Sequence, residues 1–115
     1  MSPGCVFCAI IEGQEPAKKL YEDKEVVAFF DINPQAPIHI LVIPRRHIKN
    51  LLDVNEKDAP ILSKLIMVAT MLAKKHDIAE TGYRIVVNTN RNAGQSVDHL
   101  HIHILGGRIL GWPPG

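Results

Sequence analysis

The chain is 115 residues long, 46% hydrophobic and 22% charged, with a formal net charge of +1. That suits one domain with one modest core, and near-neutrality gives no electrostatic reason to bind nucleic acid or acidic membranes. The longest apolar stretches are too short to span a bilayer, and Met1-Ser2-Pro3-Gly4-Cys5 has neither the basic nor the apolar region of a signal peptide, so the expected location is cytoplasmic.

Val6, Phe7, Ala9, Ile10 and Ile11 predict a short amphipathic helix over 6–12, ended by Gly13 and Pro16. Lys18 to Tyr21 reads as a short strand. A turn at Glu22-Asp23-Lys24 leads into a β-branched and aromatic strand, Val26 to Phe30. Asn33 to Pro37 is a loop, and Ile38 to Ile43 a second apolar strand stopped by Pro44. Arg45, Arg46, His47 and Lys49 form a short basic cluster that reads as a solvated loop.

A long helix is predicted over 55–80. Asn55 suits its N-cap, and Glu56 and Asp58 suit the positive end of its dipole. Ile61, Leu62, Leu65, Ile66, Ala69, Leu72 and Ala73 recur at helical spacing, with Met67 and Met71 expected as core filler beside them. His76 is expected at the surface, and Gly82 ends the element. Tyr83 to Asn88 is a strand, Thr89 to Gln95 a polar loop, and Ser96 to Leu105 a strand again. The expected fold is α+β: a mainly antiparallel five-stranded sheet with one long and one short helix, in a single domain over 1–115.

Alternation along the last strand puts His99, His101 and His103 on one face and Leu100, Ile102 and Ile104 on the other. The apolar face anchors the strand and the other presents a row of imidazoles. Such a row could hold zinc or copper. A phosphate-directed reading explains more of the surroundings. Gly94 lets backbone N–H groups approach an anion, Ser96 supplies a hydroxyl, and Asn88 supplies an amide. A histidine near its usual pKa can act as nucleophile or acid–base catalyst at neutral pH.

The run His99-Leu100-His101-Ile102-His103-Ile104-Leu105 resembles the signature of the histidine triad (HIT) family. The resemblance extends through Phe29 to Pro37, Val42 to His47, Asn88, Ala93 to Val97, and Gly106-Gly107-Arg108. The ending Trp112-Pro113-Pro114-Gly115 resembles the Hint branch. It implies a homodimeric purine nucleoside phosphoramidase acting on AMP- or GMP-type phosphoramidates and aminoacyl-adenylates.

Under that resemblance His101 is the nucleophile, its tautomer fixed by a neighbouring backbone carbonyl. His103 and the backbone around Gln95 and Ser96 hold the phosphate oxygens, and the Ser96 hydroxyl contacts the leaving group. His99 and His39 complete the histidine cluster, and Asn88 holds the phosphate end. Asp31 matches the ribose-binding aspartate, and Phe7, Ile10, Phe29 and Ile32 form an apolar slot for the base. Trp112 crosses a dimer interface toward the partner's site. Two departures from the animal Hint pattern stand out: Phe30 at a position often histidine there, and Asp98 where an aromatic is common. A nucleotide-binding regulatory protein with incidental catalysis and a dinucleoside polyphosphate hydrolase are the alternative functions.

Cys5 and Cys8 have the spacing of half a metal site. The alternative is a pair of reduced, inert thiols, since a redox pair needs a βαβ context that is missing. The family resemblance adds His47 and His99 as the other two ligands of a structural Zn2+, with no organic cofactor.

Overall fold

The structure, a computed structural model, describes residues 3–115. Its elements are α1 (Val6–Ile11), β1 (Lys19–Glu22), β2 (Val26–Phe30), β3 (Ile38–Pro44), α2 (Ala59–Lys75), β4 (Tyr83–Val86) and β5 (Ile102–Gly106), with 3₁₀ turns at Leu51–Asp53, Glu56–Asp58 and Arg91–Ala93. The strands form one sheet in the order β1-β2-β3-β5-β4, and every pairing is antiparallel.

Strands β2 and β3 are apolar at successive positions because both of their faces are covered. Val26, Ala28, Ile40 and Val42 pack with Leu65, Val68, Ala69 and Leu72 of α2. Val27, Phe29, Leu41 and Ile43 pack on the other side against Phe7 and Ile10 of α1. The register aligns Leu41 with His103 and His39 with Leu105. His39 and His103 therefore belong to the α1 face, while Ile102 and Ile104 join the α2 core.

The last strand is shorter than expected, beginning at Ile102 rather than Ser96. Continuing the register would oppose Leu100 to Pro44, which has no N–H to give the ladder. The Leu100 N–H turns instead to the Ile48 carbonyl, at 2.6 Å. The side-chain alternation persists through the irregular stretch, because Leu100 still joins the α2 core.

Helix α2 also differs from its expected bounds. Asn55 caps the preceding 3₁₀ turn in a reciprocal capping box with Asp58, and Pro60 occupies the first turn of α2. The buried stripe is Leu65, Val68, Ala69, Leu72 and Ala73, a regular i, i+3, i+4, i+7, i+8 pattern. That phase leaves Ile66, Met67 and Met71 exposed, so the methionines are not core filler. His76 turns inward: its ring meets Phe30 edge-on, with centroids 5.6 Å apart, and Nε2 is buried. Among the described residues no helix is long and apolar enough to cross a membrane.

Candidate active site

The α1 face of the sheet gathers five of the six histidines into two groups. In the first, the His101 Nδ1–H donates to the carbonyl oxygen of His99 at 2.7 Å. A carbonyl can only accept, so Nδ1 carries the proton and Nε2 keeps its lone pair. His39 is fixed differently. The Gln35 N–H donates to its Nδ1 at 3.0 Å, which puts the proton of a neutral ring on Nε2. That Nε2–H donates to Nδ1 of His103 at 2.9 Å, leaving the His103 proton on its own Nε2. The result is a lone pair on His101 beside a donor on His103, with ring centroids 4.9 Å apart.

These rings border a cleft of about 240 Å³. Phe7, Ile10 and Phe29 form its apolar wall, and Phe7 meets Phe29 and His101 edge-on. Asp31, Ile32 and Ser96 stand at the same cleft, Ile32 almost fully exposed. Asp31 takes the Asn33 N–H on Oδ1, and its Oδ2 lies 3.4 Å from His39 Nε2.

Asn88, Gly94, Gln95 and Trp112 do not line this cleft. The Gln95 side chain staples its own loop instead: Oε1 accepts from Asn90 and Asn50, and Nε2 donates to the carbonyls of Lys49 and Val97. Gly94 closes the 3₁₀ turn at φ +88°, a left-handed conformation suited to glycine. Trp112 is 82% exposed.

The second group consists of Cys5, Cys8, His47 and His99, whose donor atoms all lie within 4.8 Å of one another. His47 Nδ1 is 3.3 Å from Cys8 Sγ and 3.2 Å from His99 Nδ1, and His99 Nδ1 is 3.5 Å from Cys5 Sγ. Two sulfurs and two nitrogens bound tetrahedrally at ordinary lengths stand about 3.3–3.8 Å apart. The His99 Nε2–H donates to the Pro44 carbonyl at 2.8 Å, which turns the Nδ1 lone pair toward the sulfurs. The cluster is compatible with a metal site.

Burial holds the ring of His101 below its usual range, against the opposing effects of the His99 carbonyl and Asp31. Burial, with His101 and His39 adjacent, pushes His103 down to about 4 despite Asp31. Burial likewise outweighs the Asp31 carboxylate at His39 and lowers it. The row is neutral at neutral pH, as a lone-pair nucleophile and a neutral donor require.

The backbone carbonyl expected to fix His101 is that of His99. Sequence reasoning missed the groups that orient His99 and His39, because the Pro44 carbonyl and the Gln35 N–H carry no side-chain signature. The basic cluster also proves to be engaged. Arg45 pairs with Glu22, Arg46 pairs with the buried Asp58, and His47 joins the cysteines.

The HIT domain model matches residues 12–110, and the chain belongs to the HIT family. It is 46% identical over 111 residues to the purine nucleoside phosphoramidase of Escherichia coli, covering 96% of this chain and 93% of that one. An uncharacterized HIT-like protein of Synechococcus elongatus is 47% identical over all 115 residues, the full length of both. The crystal structure of a HIT family hydrolase from Legionella pneumophila superposes with a TM-score of 0.95 at 47% identity, covering 97% of this chain and 100% of the other.

Proposed function

We propose that this chain hydrolyses the P–N bond of purine nucleoside 5′-phosphoramidates, and also aminoacyl-adenylates, through a nucleotidyl intermediate on His101. The observation that carries the reading is the 2.7 Å bond from His101 Nδ1–H to the His99 carbonyl, which leaves Nε2 as a fixed, neutral nucleophile. The name and 46% identity of the Escherichia coli phosphoramidase support the same chemistry.

The base lies in the slot of Phe7, Ile10, Phe29 and Ile32, and the ribose hydroxyls donate to Asp31. The Nε2–H of His103 and the backbone at Gly94, Gln95 and Ser96 hold the phosphoryl oxygens, with Asn88 beside them. His101 Nε2 gives its lone pair to phosphorus. The P–N bonding pair departs with the amine, which takes a proton from solvent past the Ser96 hydroxyl. Water then attacks phosphorus and loses a proton to solvent, and His101 recovers its pair as the nucleoside monophosphate leaves. The His99 carbonyl holds Nδ1–H throughout, so the ring charge that arises in the intermediate is hydrogen-bonded.

Cys5, Cys8, His47 and His99 would hold a structural zinc, whose donor set they match. The ion supplies cross-linking rather than chemistry, because the ligands occupy all four positions of such a site. The chain acts in the cytoplasm as a homodimer whose tail, with Trp112, reaches the partner's site.

Turnover of adenosine 5′-phosphoramidate by wild type and His101→Ala tests the reading. The variant should lose at least about a thousandfold in kcat/KM, and quenched wild type should carry a nucleotide on His101 by mass spectrometry. Undiminished turnover by the variant would overturn the mechanism.

A further inference from the structure

His39 is 4% exposed and stands between Asp31 and His103 with one ring proton to give. Its Nε2 is 2.9 Å from His103 Nδ1 and 3.4 Å from Asp31 Oδ2. Gln35 enforces this choice from behind. Its N–H occupies His39 Nδ1, and its carbonyl is held by the Arg108 guanidinium at 2.9 Å from Nη2.

Asp31, His39 and His103 could also be read as two histidines and a carboxylate around a metal. The hydrogen bonds argue otherwise. A metal on His39 Nε2 would force the ring proton onto Nδ1, directly against the Gln35 N–H. The trio is built to share a proton.

The geometry points to a coupling of sugar recognition to the phosphate end of the site: hydroxyls that donate to Asp31 weaken it as a competitor for the His39 proton, and His39 then commits that proton to His103. This rests on the phosphoramidase reading and deepens it. A committed His39 Nε2–H fixes the His103 proton on Nε2, where it can donate to a phosphoryl oxygen. His39 is thus a positioning residue. The ribose contributes to turnover as well as to binding, in keeping with the use of remote substrate contacts to organise a reacting centre.

The test compares adenosine 5′-phosphoramidate with its 2′,3′-dideoxy analogue on wild type and on His39→Phe, which keeps the ring volume and removes the link. In wild type the dideoxy substrate should lose about tenfold in kcat beyond any rise in KM. In His39→Phe the ribose substrate itself should slow, and the dideoxy penalty on kcat should shrink to below about twofold. An equal penalty in both enzymes would overturn the coupling while leaving the hydrolase reading intact. Absence of turnover by wild type with both substrates would remove the hydrolase reading and the coupling together.

Ring ¹⁵N shifts of wild-type His103 give a second measurement that does not depend on the variant's folding. Adenosine 5′-monophosphate should drive the ring to the Nε2–H tautomer further than the dideoxy monophosphate does. Identical shifts with both nucleotides would count against the coupling.

Discussion

The backbone carbonyl of His99 holds the ring of His101, while the ring of His99 faces Cys5, Cys8 and His47. One residue therefore belongs to both clusters, and the candidate metal site stands directly behind the proposed nucleophile. Cys8→Ser should cut bound zinc from about one equivalent per chain to a small fraction of that. It should also lower stability by at least about 2 kcal/mol, a fall in Tm on the order of 10 °C. Metal analysis and thermal melting of the same preparations check this. A full complement of zinc in the variant would contradict the ligand assignment.

His103 gives a pH signature in stability. Burial and the adjacent His101 and His39 lower it from an ordinary 6.5 to about 4. Between those values the unfolded chain binds the proton and the folded chain does not. The contribution of His103 is therefore complete above pH 6.5 and declines as the pH falls toward 4. His103→Asn removes the group, so its Tm should fall less steeply over that interval than that of wild type. Parallel slopes would contradict the burial argument.

The class of fold was legible from two kinds of signal. The α2 stripe and the alternation about His101 repeat at a helix and a strand period, and the short, continuous, β-branched runs of β2 and β3 mark strands covered on both faces. The boundaries were less so, for reasons particular to each. Pro44 breaks the ladder opposite Leu100 and shortens β5, a long-range effect invisible within the last strand itself. Met67 and Met71 are apolar yet exposed, because the stripe that fits the sheet runs through Val68. At the site, side chains such as Asp31 and the histidines could be named from sequence. Their orientation comes from the peptide groups of Gln35, Pro44 and His99, which any residue types could supply. The Gln95 side chain is spent on loop closure with the distant Lys49 carbonyl as well as the nearby Val97 carbonyl, a pairing that no local pattern announces.

Asp23 shows how a turn residue can carry stability away from the site. Burial works to raise its pKa, but the Tyr21 hydroxyl, the N–H groups of Glu25 and Val26, and the Lys64 ammonium at 2.9 Å together hold it well below the usual carboxylate range. Its contribution is present above the ordinary pKa of 3.8 and is lost as the pH falls below that value. Asp23→Ala should cost about 1–3 kcal/mol at pH 7 with kcat and KM unchanged. Chemical denaturation at pH 7 and pH 2.5 should show the difference from wild type narrowing in acid.

Asp98 directly precedes the histidine run. It lines a cavity of about 380 Å³ with Cys5, His47, Ser96 and Val97, and the last two also border the base cleft. The carboxylate shares that cavity with Ser96, the residue that the proposed mechanism sets beside the departing amine. Asp98→Ala should lower kcat/KM for a lysine-like phosphoramidate about three- to tenfold and leave a neutral alkyl phosphoramidate unchanged, the size expected of a partly exposed charge pair. Equal turnover of the two substrates by wild type and variant would remove the carboxylate from leaving-group selection.

In the proposed homodimer the tail extends leaving-group selection across a second chain. Trp112 is exposed, and the Arg84 guanidinium holds the chain just before it by the Gly111 carbonyl at 3.0 Å. Arg84 lies on β4, one of the two edge strands of the sheet, and Ile66, Met67 and Met71 expose apolar surface on α2. A chain of this size has reason to cover such groups with a second copy of itself. Sedimentation should give a dimer at micromolar concentration, and Met67→Glu should shift it toward monomer by burying an unpaired charge at the contact. Deletion of residues 112–115 should leave the dimer intact but reorder kcat/KM among phosphoramidates that differ only in the amine. If the order survives the deletion, the tail does not reach the partner's leaving group, and selection among amines falls to groups such as Asp98 within the chain itself.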